Sequence, residues 1–425
     1  MKKVNKVLTV ILAVLVAVGL FFGGYFTNEL IKDEYEELNW VISQINKHYL
    51  VYDEETGEVK NLSEEDYIKI LISGLKADGY LDSYSNYYNE EEYTDVVLSS
   101  KGNSYGTGIG FYKTDLVIGK VKYNSPMYKA SNGADLTGKK VTGISSVEET
   151  SQTALSDYAH YSQELAKYSN SVMFKIYVDN QPYTVSKQSF IESYVIYVDN
   201  GKTMTFTSDY GKKPGKKIED VGDTSLGNDV AYIRFTAFNG NAVEEFDTAM
   251  KFLKERGKSK LILDLRGNGG GDMDILTSIA SYLTHGNGSN KFVVAKAKYK
   301  DGKIRDFKVS SGNYVSLNKL TVLASEYSAS ATECLIGAMM TYGNLSVDNL
   351  IVANNNYVDG EVNSTYGKGI MQTTYKSKFD TAIKLTTAYV YWPDGETCIH
   401  NKGIQASVAN SCAYSFAYEL AKLKQ

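Results

Sequence analysis

The sequence predicts a multidomain protein that combines the α/β and α+β classes, and two features of the chain support this prediction. Residues 230–342 alternate apolar, strand-like runs with helical patterns, which is typical of an α/β core. Residues 99–189 carry short alternating runs separated by glycine, which is typical of a small β-rich domain. We predict four regions: residues 1–27, 28–98, 99–189 and 190–425.

The first region has the pattern of a membrane anchor. Three lysines among the first six residues precede the apolar stretch at 7–26. About 20 apolar residues can cross a bilayer as a helix, and the positive end stays in the cytoplasm. A cleaved signal peptide is the alternative, but bulky Leu20, Phe21 and Phe22 leave no clear Ala-x-Ala site. We therefore predict an uncleaved single-pass anchor in the cell membrane, with the rest of the chain extracytoplasmic.

The second region predicts two helices. Apolar residues recur at helical spacing between residues 31 and 49. A second helix is expected to begin at Leu62 and Ser63, because acidic residues fill its first turn, and to stop near Gly79. The region is thus predicted to be a small helical module.

Residues 327–333 predict a tight turn between a strand and a helix. The turn reads Tyr-Ser-Ala-Ser-Ala-Thr-Glu and follows the apolar run at 320–324. It would place the hydroxyl of Ser330 at a positively polarised helix N-terminus, where a nucleophile is well placed. The alternative is a simple helix cap, because Ser330 and Glu333 have capping-box spacing.

Residues 261–271 form an apolar run that enters a glycine-rich turn. The run predicts a central strand, and Asp272 is expected to cap the helix that follows. Glycine lets the backbone approach a bound group, and free N–H groups there can stabilise an oxyanion. A nucleotide-binding loop is disfavoured, because the spacing is not Gly-x-Gly-x-x-Gly and no Gly-Lys-Ser/Thr follows.

A single lysine is the third candidate. Lys368 lies between Gly367 and Gly369 and has apolar neighbours. An isolated lysine is usually a solvated surface residue. Burial would lower its pKa and let it act as a neutral base, which requires a drop of roughly 3 units from about 10.4.

Together, the three segments resemble the C-terminal processing peptidases, also called tail-specific proteases. These are serine endopeptidases with a Ser-Lys mechanism and an α/β peptidase core. The resemblance implies that Ser330 is the nucleophile, that Lys368 is its general base and that Gln372 orients the lysine. It also implies an oxyanion hole formed by the N–H of Ala331 and by one N–H of the glycine turn, from Gly270 or Gly271.

The resemblance extends to the β-rich region. Residues 124–144 are similar to part of the PDZ domain that these peptidases carry. A PDZ domain adds an extended peptide as a strand and holds its terminal carboxylate on backbone N–H groups. Gly108, Ile109 and Gly110 are the candidates for that loop, and an ordinary hairpin turn is the alternative. Residues 82–88 resemble the turn that closes the family's helical region, although a polar, tyrosine-rich loop would look the same.

Two departures from the family pattern are expected to matter. The link at 343–365 is longer than usual and rich in Asn and Asp, which predicts a surface loop beside the cleft. Gln405 and Ala406 replace the usual Pro-Asp, which affects only that turn. The three cysteines form no framework pattern, and a bridge between Cys398 and Cys412 has no support in their spacing.

The composition excludes other classes. A formal net charge of −5 gives no basic surface for nucleic acid. The four histidines show no zinc-binding spacing, and we predict neither a metal nor another cofactor.

We expect a membrane-anchored serine endopeptidase acting on protein or peptide substrates with free C-termini. The main alternative is an inactive, PDZ-containing peptide-binding protein. A Ser-His hydrolase using His400 is a third reading, disfavoured because nothing around His400 resembles an orienting arrangement. A homo-oligomer or an activating partner stays open.

Overall fold

A computed structural model describes residues 36–48, 62–111, 115–207, 215–219, 222–289 and 291–425. The chain divides into two compact units, Met1–Leu81 and Asp82–Gln425. The predicted anchor at 7–26 lies outside the described residues. Within the described ranges, no helix is long and apolar enough to cross a membrane. The four predicted boundaries stay predictions.

The first unit contains two described helices, α1 (Glu36–His48) and α2 (Glu64–Ala77). Ser63 caps α2 as predicted. Its side chain accepts the N–H of Asp66, and the Asp66 carboxylate accepts the N–H of Ser63 in return. This reciprocal pair satisfies two N–H groups that would otherwise lack partners at the helix start.

The second unit carries the remaining described elements. Its helices are α3 (Glu90–Ser100), α4 (Pro126–Ala130), α5 (Tyr158–Ala166), α6 (Ala242–Glu255), α7 (Met273–Leu283), α8 (Ala331–Thr341) and α9 (Ala417–Leu423). Its strands are β1 (Asn86–Tyr88), β2 (Asn103–Gly106), β3 (Ile109–Phe111), β4 (Ile118–Val121), β5 (Val141–Ser146), β6 (Thr153–Ala154), β7 (Phe174–Val178), β8 (Gln181–Val185), β9 (Gln188–Ile191), β10 (Val195–Asp199), β11 (Lys202–Thr207), β12 (Gly215–Glu219), β13 (Val230–Phe235), β14 (Lys260–Asp264), β15 (Phe292–Tyr299), β16 (Ile304–Val309), β17 (Lys319–Ser325), β18 (Leu350–Asn354), β19 (Ile370–Lys376), β20 (Ala382–Tyr391) and β21 (Ser411–Ala413).

The main sheet has the strand order β12-β11-β10-β13-β14-β17-β18-β21. From β13 to β21 its neighbours are parallel, whereas β10 to β12 add an antiparallel edge. Leu261 and Leu263 join the core cluster that contains residues of α6, α7 and α8, while Ile262 joins a second cluster with residues of α9. Strands buried on both faces read as continuous apolar runs, so the predicted α/β core is confirmed.

A second sheet supports the opposite side of the site. Its path is β1-β20-β15-β16, and β19 pairs with β20. Residues of β15, β16 and β20 contribute to the same core cluster as α7 and α8. Because Lys368 precedes β19 by two residues, this sheet fixes where the lysine enters the cleft.

The β-rich region has a hydrophobic core of its own. Among the residues that form it are Leu116, Ile118, Ile144, Phe174 and Ile176, all at most 1% exposed. Strand β3 pairs only with β4 in the described part of the chain, so its other edge is unpaired. An unpaired edge of this kind can accept an added strand.

The predicted surface loop at 343–365 is wrong in part. Residues Leu350–Asn354 form β18, which lies inside the main sheet between β17 and β21. The run Leu-Ile-Val-Ala supplies four consecutive buried residues, which suits a strand covered on both faces. The Asn363 side chain is also buried and donates to the carbonyl groups of Val352 and Cys412. The extra length therefore extends the sheet as well as the surface.

All three cysteines are free thiols. Cys334 and Cys412 are buried, and Cys398 is half-buried. A bridge between Cys398 and Cys412 is therefore not formed.

Candidate active site

The site lies where two neighbouring parallel strands end. Strand β14 pairs with β17, with Asp264 opposite Leu323. The glycine turn follows β14, and the turn that carries Ser330 follows β17, so both turns emerge at the same edge of the sheet. Ligands bind at this carboxyl edge in open parallel sheets. The predicted strand, turn and helix are present in both segments.

Ser330 has a strained backbone. Its φ of 60° and ψ of −119° lie outside the regions that L-residues usually occupy. Such a conformation costs about 1–3 kcal/mol and persists only where the surroundings enforce it. Ser330 directly precedes α8, so the strained turn delivers its side chain to the N-terminus of that helix.

The glycine turn packs directly against the serine turn. A Cβ atom at Gly270 would lie 2.8 Å from both the Ala329 carbonyl oxygen and the Ala331 nitrogen, so only glycine fits there. The Asn268 carbonyl oxygen accepts hydrogen bonds from the Ala329 N–H, at 3.0 Å, and from the Thr332 hydroxyl, at 2.9 Å. These contacts hold the two turns in fixed register.

Two of the three candidate oxyanion donors are free. The N–H groups of Ala331 and Gly271 donate to no acceptor in the described ranges. The Gly270 N–H instead donates to the buried side-chain oxygen of Asn268 at 3.0 Å. Free N–H groups beside a serine are the arrangement that an oxyanion requires.

The Lys368 side chain is half-buried. Burial is the main cause that lowers its pKa from the ordinary value, and the positive charge of Lys384 lowers it further. The negative charges of Asp82 and Glu333 act in the opposite direction. A lowered pKa increases the neutral fraction of the amine near pH 7, which is the form that can accept a proton.

Ser330, Lys368 and Gln372 line one cavity of about 720 Å³, together with Gly270 and Gly271. Gln372 donates to the Thr386 hydroxyl at 3.0 Å. In the described part of the chain, neither Ser330 nor Gln372 makes a hydrogen bond to the Lys368 amine. The structure therefore brings the predicted residues into one cleft without closing a hydrogen-bonded chain between them.

His400 faces a different space. It lines a neighbouring cavity together with Tyr84 and Thr386, and that cavity does not include Ser330. The hypothesis of a Ser-His pair gains nothing from this placement.

The candidate carboxylate loop is part of a hairpin. Ile109 and Gly110 lie in β3, opposite Val121 and Lys120 of β4. Gly108 precedes the strand with φ of +87°, and a Cβ atom there would lie 2.0 Å from the Ser125 Cβ. Glycine is therefore required at 108 for close backbone approach.

Comparison with known proteins indicates a family of peptidases. The model of Peptidase family S41 matches residues 229–409. The carboxy-terminal processing protease CtpA of Bacillus subtilis is 30% identical over 191 residues, which is 45% of this chain and 37% of that protein. The probable CtpA-like serine protease of Staphylococcus haemolyticus is 25% identical over 380 residues, 88% of this chain and 65% of that protein.

Residues 229–409 thus match Peptidase family S41, and the chain is similar to carboxy-terminal processing proteases. It matches 37% and 65% of the lengths of the two relatives, so the comparisons cover only part of each. Among solved structures, the photosystem II D1 C-terminal processing protease has a TM-score of 0.48 and 18% identity, with 87% of this chain and 85% of that one aligned.

Glu333 has a role that the sequence analysis missed. Its buried carboxylate accepts four hydrogen bonds, from the N–H of Ser330 at 2.9 Å, of Gly367 at 2.8 Å and of Lys368 at 2.9 Å, and from the Thr365 hydroxyl at 2.5 Å. Burial raises its pKa, and the four donors oppose that change. One side chain thus joins the serine turn to the lysine segment. Its capping-box spacing was the only signal in the sequence.

Replacing Glu333→Gln is expected to weaken this junction. The new NH₂ group would face N–H donors, so at least one buried donor would lose its partner, at a cost of about 1–3 kcal/mol. We expect a lower midpoint of chemical unfolding and a lower kcat. Glu333→Asp keeps the charge on a shorter side chain and should lose less of both. A Gln variant with unchanged stability would contradict the role given to Glu333.

Proposed function

We propose that this chain is a serine endopeptidase of the C-terminal processing type that uses a Ser330–Lys368 pair. The observation that carries the proposal is the cleft lined by the strained Ser330, the half-buried Lys368 and Gly271, whose N–H is free like that of the nearby Ala331. A nucleophile, a base of lowered pKa and oxyanion donors are the parts that acyl transfer needs.

The proposed reaction has two halves. Neutral Lys368 takes the proton of Ser330 while the oxygen attacks the peptide carbonyl carbon. The N–H groups of Ala331 and Gly271 hold the negative oxygen, and Gly271 is favoured over Gly270 because the Gly270 N–H is already bonded. The Lys368 ammonium then protonates the leaving amine. Lys368 next takes a proton from water, which attacks the ester carbon, and returns it to Ser330.

For Gln372, we propose a supporting position beside the lysine. It lies in the same cavity and is fixed by its hydrogen bond to Thr386. The family resemblance supports this assignment.

For substrate selection, we propose that the β-rich region acts as a PDZ domain. The unpaired edge of β3 supports the addition of a substrate strand, and Gly108 marks the turn at its start. Phe111 on this strand packs edge-on against Tyr161 of α5 at 5.2 Å, so aromatic side chains line the space between strand and helix. The apolar tail of a protein substrate would contact this surface.

We also propose that the chain is held at the cell membrane by residues 7–26, with the catalytic region extracytoplasmic. The support is the apolar length of this stretch and the lysines that precede it. Removing residues 1–27 should release the protein into the soluble fraction, and a full-length chain found entirely in the soluble fraction would contradict the anchor.

Casein cleavage by residues 28–425 tests the proposed activity. We expect turnover without added metal, and faster cleavage of a peptide with a free C-terminus than of the same peptide with an amidated C-terminus. Equal rates for the two peptides would argue against recognition of the substrate tail but not against peptidase activity. Peptide binding without cleavage would favour the alternative, an inactive peptide-binding protein.

A further inference from the structure

The turn at residues 82–85 is fixed by a dense set of hydrogen bonds. One oxygen of Asp82 accepts the N–H of Tyr84, at 3.1 Å, and both the N–H and the hydroxyl of Ser85, at 2.8 and 2.9 Å. The Ser85 hydroxyl oxygen in turn accepts the N–H of Thr386 from β20, at 3.2 Å. Strand β1 then pairs with β20. The turn is therefore tied to the strand that also positions Gln372 through Thr386.

This turn presents an aromatic ring to Lys368. The lysine Nζ lies 4.8 Å from the centroid of the Tyr84 ring. The Tyr84 hydroxyl donates to the Tyr366 hydroxyl at 3.0 Å, which fixes the ring from its far end. Within the described ranges, the Lys368 amine has no hydrogen bond or ion pair. The Tyr84 ring is the cation–π contact that the described residues give the amine.

We propose that Tyr84 is a positioning residue whose ring holds the protonated amine of Lys368 by a cation–π interaction between catalytic cycles. This inference rests on the proposed Ser-Lys function. The negative face of an aromatic ring attracts a cation but not a neutral amine. While its amine is protonated, Lys368 is held against the Tyr84 ring. Once the amine is deprotonated, the ring no longer attracts it, and the lysine is free to approach Ser330.

The charges around Lys368 act on its protonation in both directions, so the Tyr84 ring can also contribute. Lys384 of β20 opposes a charge on Lys368, whereas Asp82 of the turn and Glu333 of α8 favour it. The Tyr84 hydroxyl is neutral near pH 7, because burial and its contact with the Tyr366 hydroxyl raise the pKa of Tyr84 well above its ordinary value. Burial opposes the charge most strongly, so the ring partly offsets what burial removes.

Two possible roles of Tyr84 predict opposite changes in the pKa of Lys368 when Tyr84 is replaced. If the ring binds the ammonium, Tyr84→Leu removes the attraction of the ring, and the pKa of Lys368 falls further. If the ring only excludes water, the smaller side chain admits water and the pKa rises. Tyr84→Phe keeps the ring and should leave the pKa close to that of the wild type, apart from the lost bond to Tyr366.

The test measures the titration of Lys368 without relying on proteolysis. Competitive acetylation with acetic anhydride across pH, read by peptide mass spectrometry, reports the neutral fraction of this lysine. We expect Tyr84→Leu to lower its apparent pKa by roughly 0.5–1 unit. An unchanged or raised value would overturn the proposal.

A matched tyrosine supplies the control. Tyr88 lies under Lys384 at 5.6 Å, so Tyr88→Leu removes a similar contact from another lysine. It should leave the titration of Lys368 in place. If Tyr84→Leu does not fold, fluorinated phenylalanines at position 84 weaken the ring's negative face at nearly constant size, and the pKa should fall with each added fluorine. A lowered pKa in a chain without peptidase activity would support the role of Tyr84 and refute the proposed function.

Discussion

Ser330→Ala is expected to abolish casein cleavage, with kcat lower by roughly 10⁴- to 10⁶-fold. The alanine removes the attacking oxygen and keeps the positive-φ backbone, because alanine and serine tolerate that conformation equally poorly. The fold should therefore survive. Circular dichroism and chemical unfolding of the variant check that the loss of activity does not come from a loss of fold. Cleavage that stays above the level of a buffer blank would refute Ser330 as the nucleophile.

The neighbouring serine of the same turn supplies a matched control. The buried Ser328 hydroxyl donates to the Leu265 carbonyl at 2.8 Å and accepts the Ser325 N–H at 2.9 Å. Ser328→Ala should lower the free energy of unfolding by about 1–3 kcal/mol, because buried groups lose their partners. Some turnover should remain in the folded fraction. Comparing the two variants thus distinguishes the loss of the reacting hydroxyl from the loss of structural hydrogen bonds, although the two serines lie only two residues apart.

Lys368→Met is expected to lower kcat by about 10²- to 10⁴-fold, which is the usual contribution of a general base. Methionine keeps much of the apolar stem and cannot accept the proton. Because the pKa of Lys368 is lowered from its ordinary 10.5, the wild-type rate should rise with pH along a limb centred below that value. The variant should lose that limb.

Lys376→Met is the control for the loss of a positive charge. Lys376 lies at the end of β19, half exposed, and forms an ion pair with Asp380 at 2.6 Å. Its removal should leave both the rate and the pH profile near those of the wild type. A Lys368 variant with the same profile as this control would contradict the role of Lys368 as base.

The sequence predicts the scaffold of the site well. The apolar runs before residues 264 and 325 indicate buried strands, and glycine or small residues after them indicate tight turns, which the structure confirms in both places. The cap at Asp272 is also confirmed, since its carboxylate accepts the N–H groups of Asp274 and Ile275. Each of these features depends on local patterning and backbone chemistry, which a sequence shows directly.

Contacts between distant segments were not visible in the sequence. The spacing of Ser330 and Glu333 indicates a cap, but nothing local shows that the same carboxylate also binds Gly367 and Lys368. The contact of Tyr84 with Lys368 joins residues that are far apart in the chain. The strand at 350–354 was missed because its Asn- and Asp-rich flanks resemble a loop.

Trapping the acyl-enzyme tests the Ser-Lys assignment most directly. The wild type is mixed with a peptide ester, quenched in acid within the first turnover and digested for mass spectrometry. The proposed mechanism predicts an acyl group on the peptide that contains Ser330, with formation slowed in Lys368→Met and absent in Ser330→Ala. Ester hydrolysis with the acyl group on another residue, or hydrolysis that continues in Ser330→Ala, would contradict it.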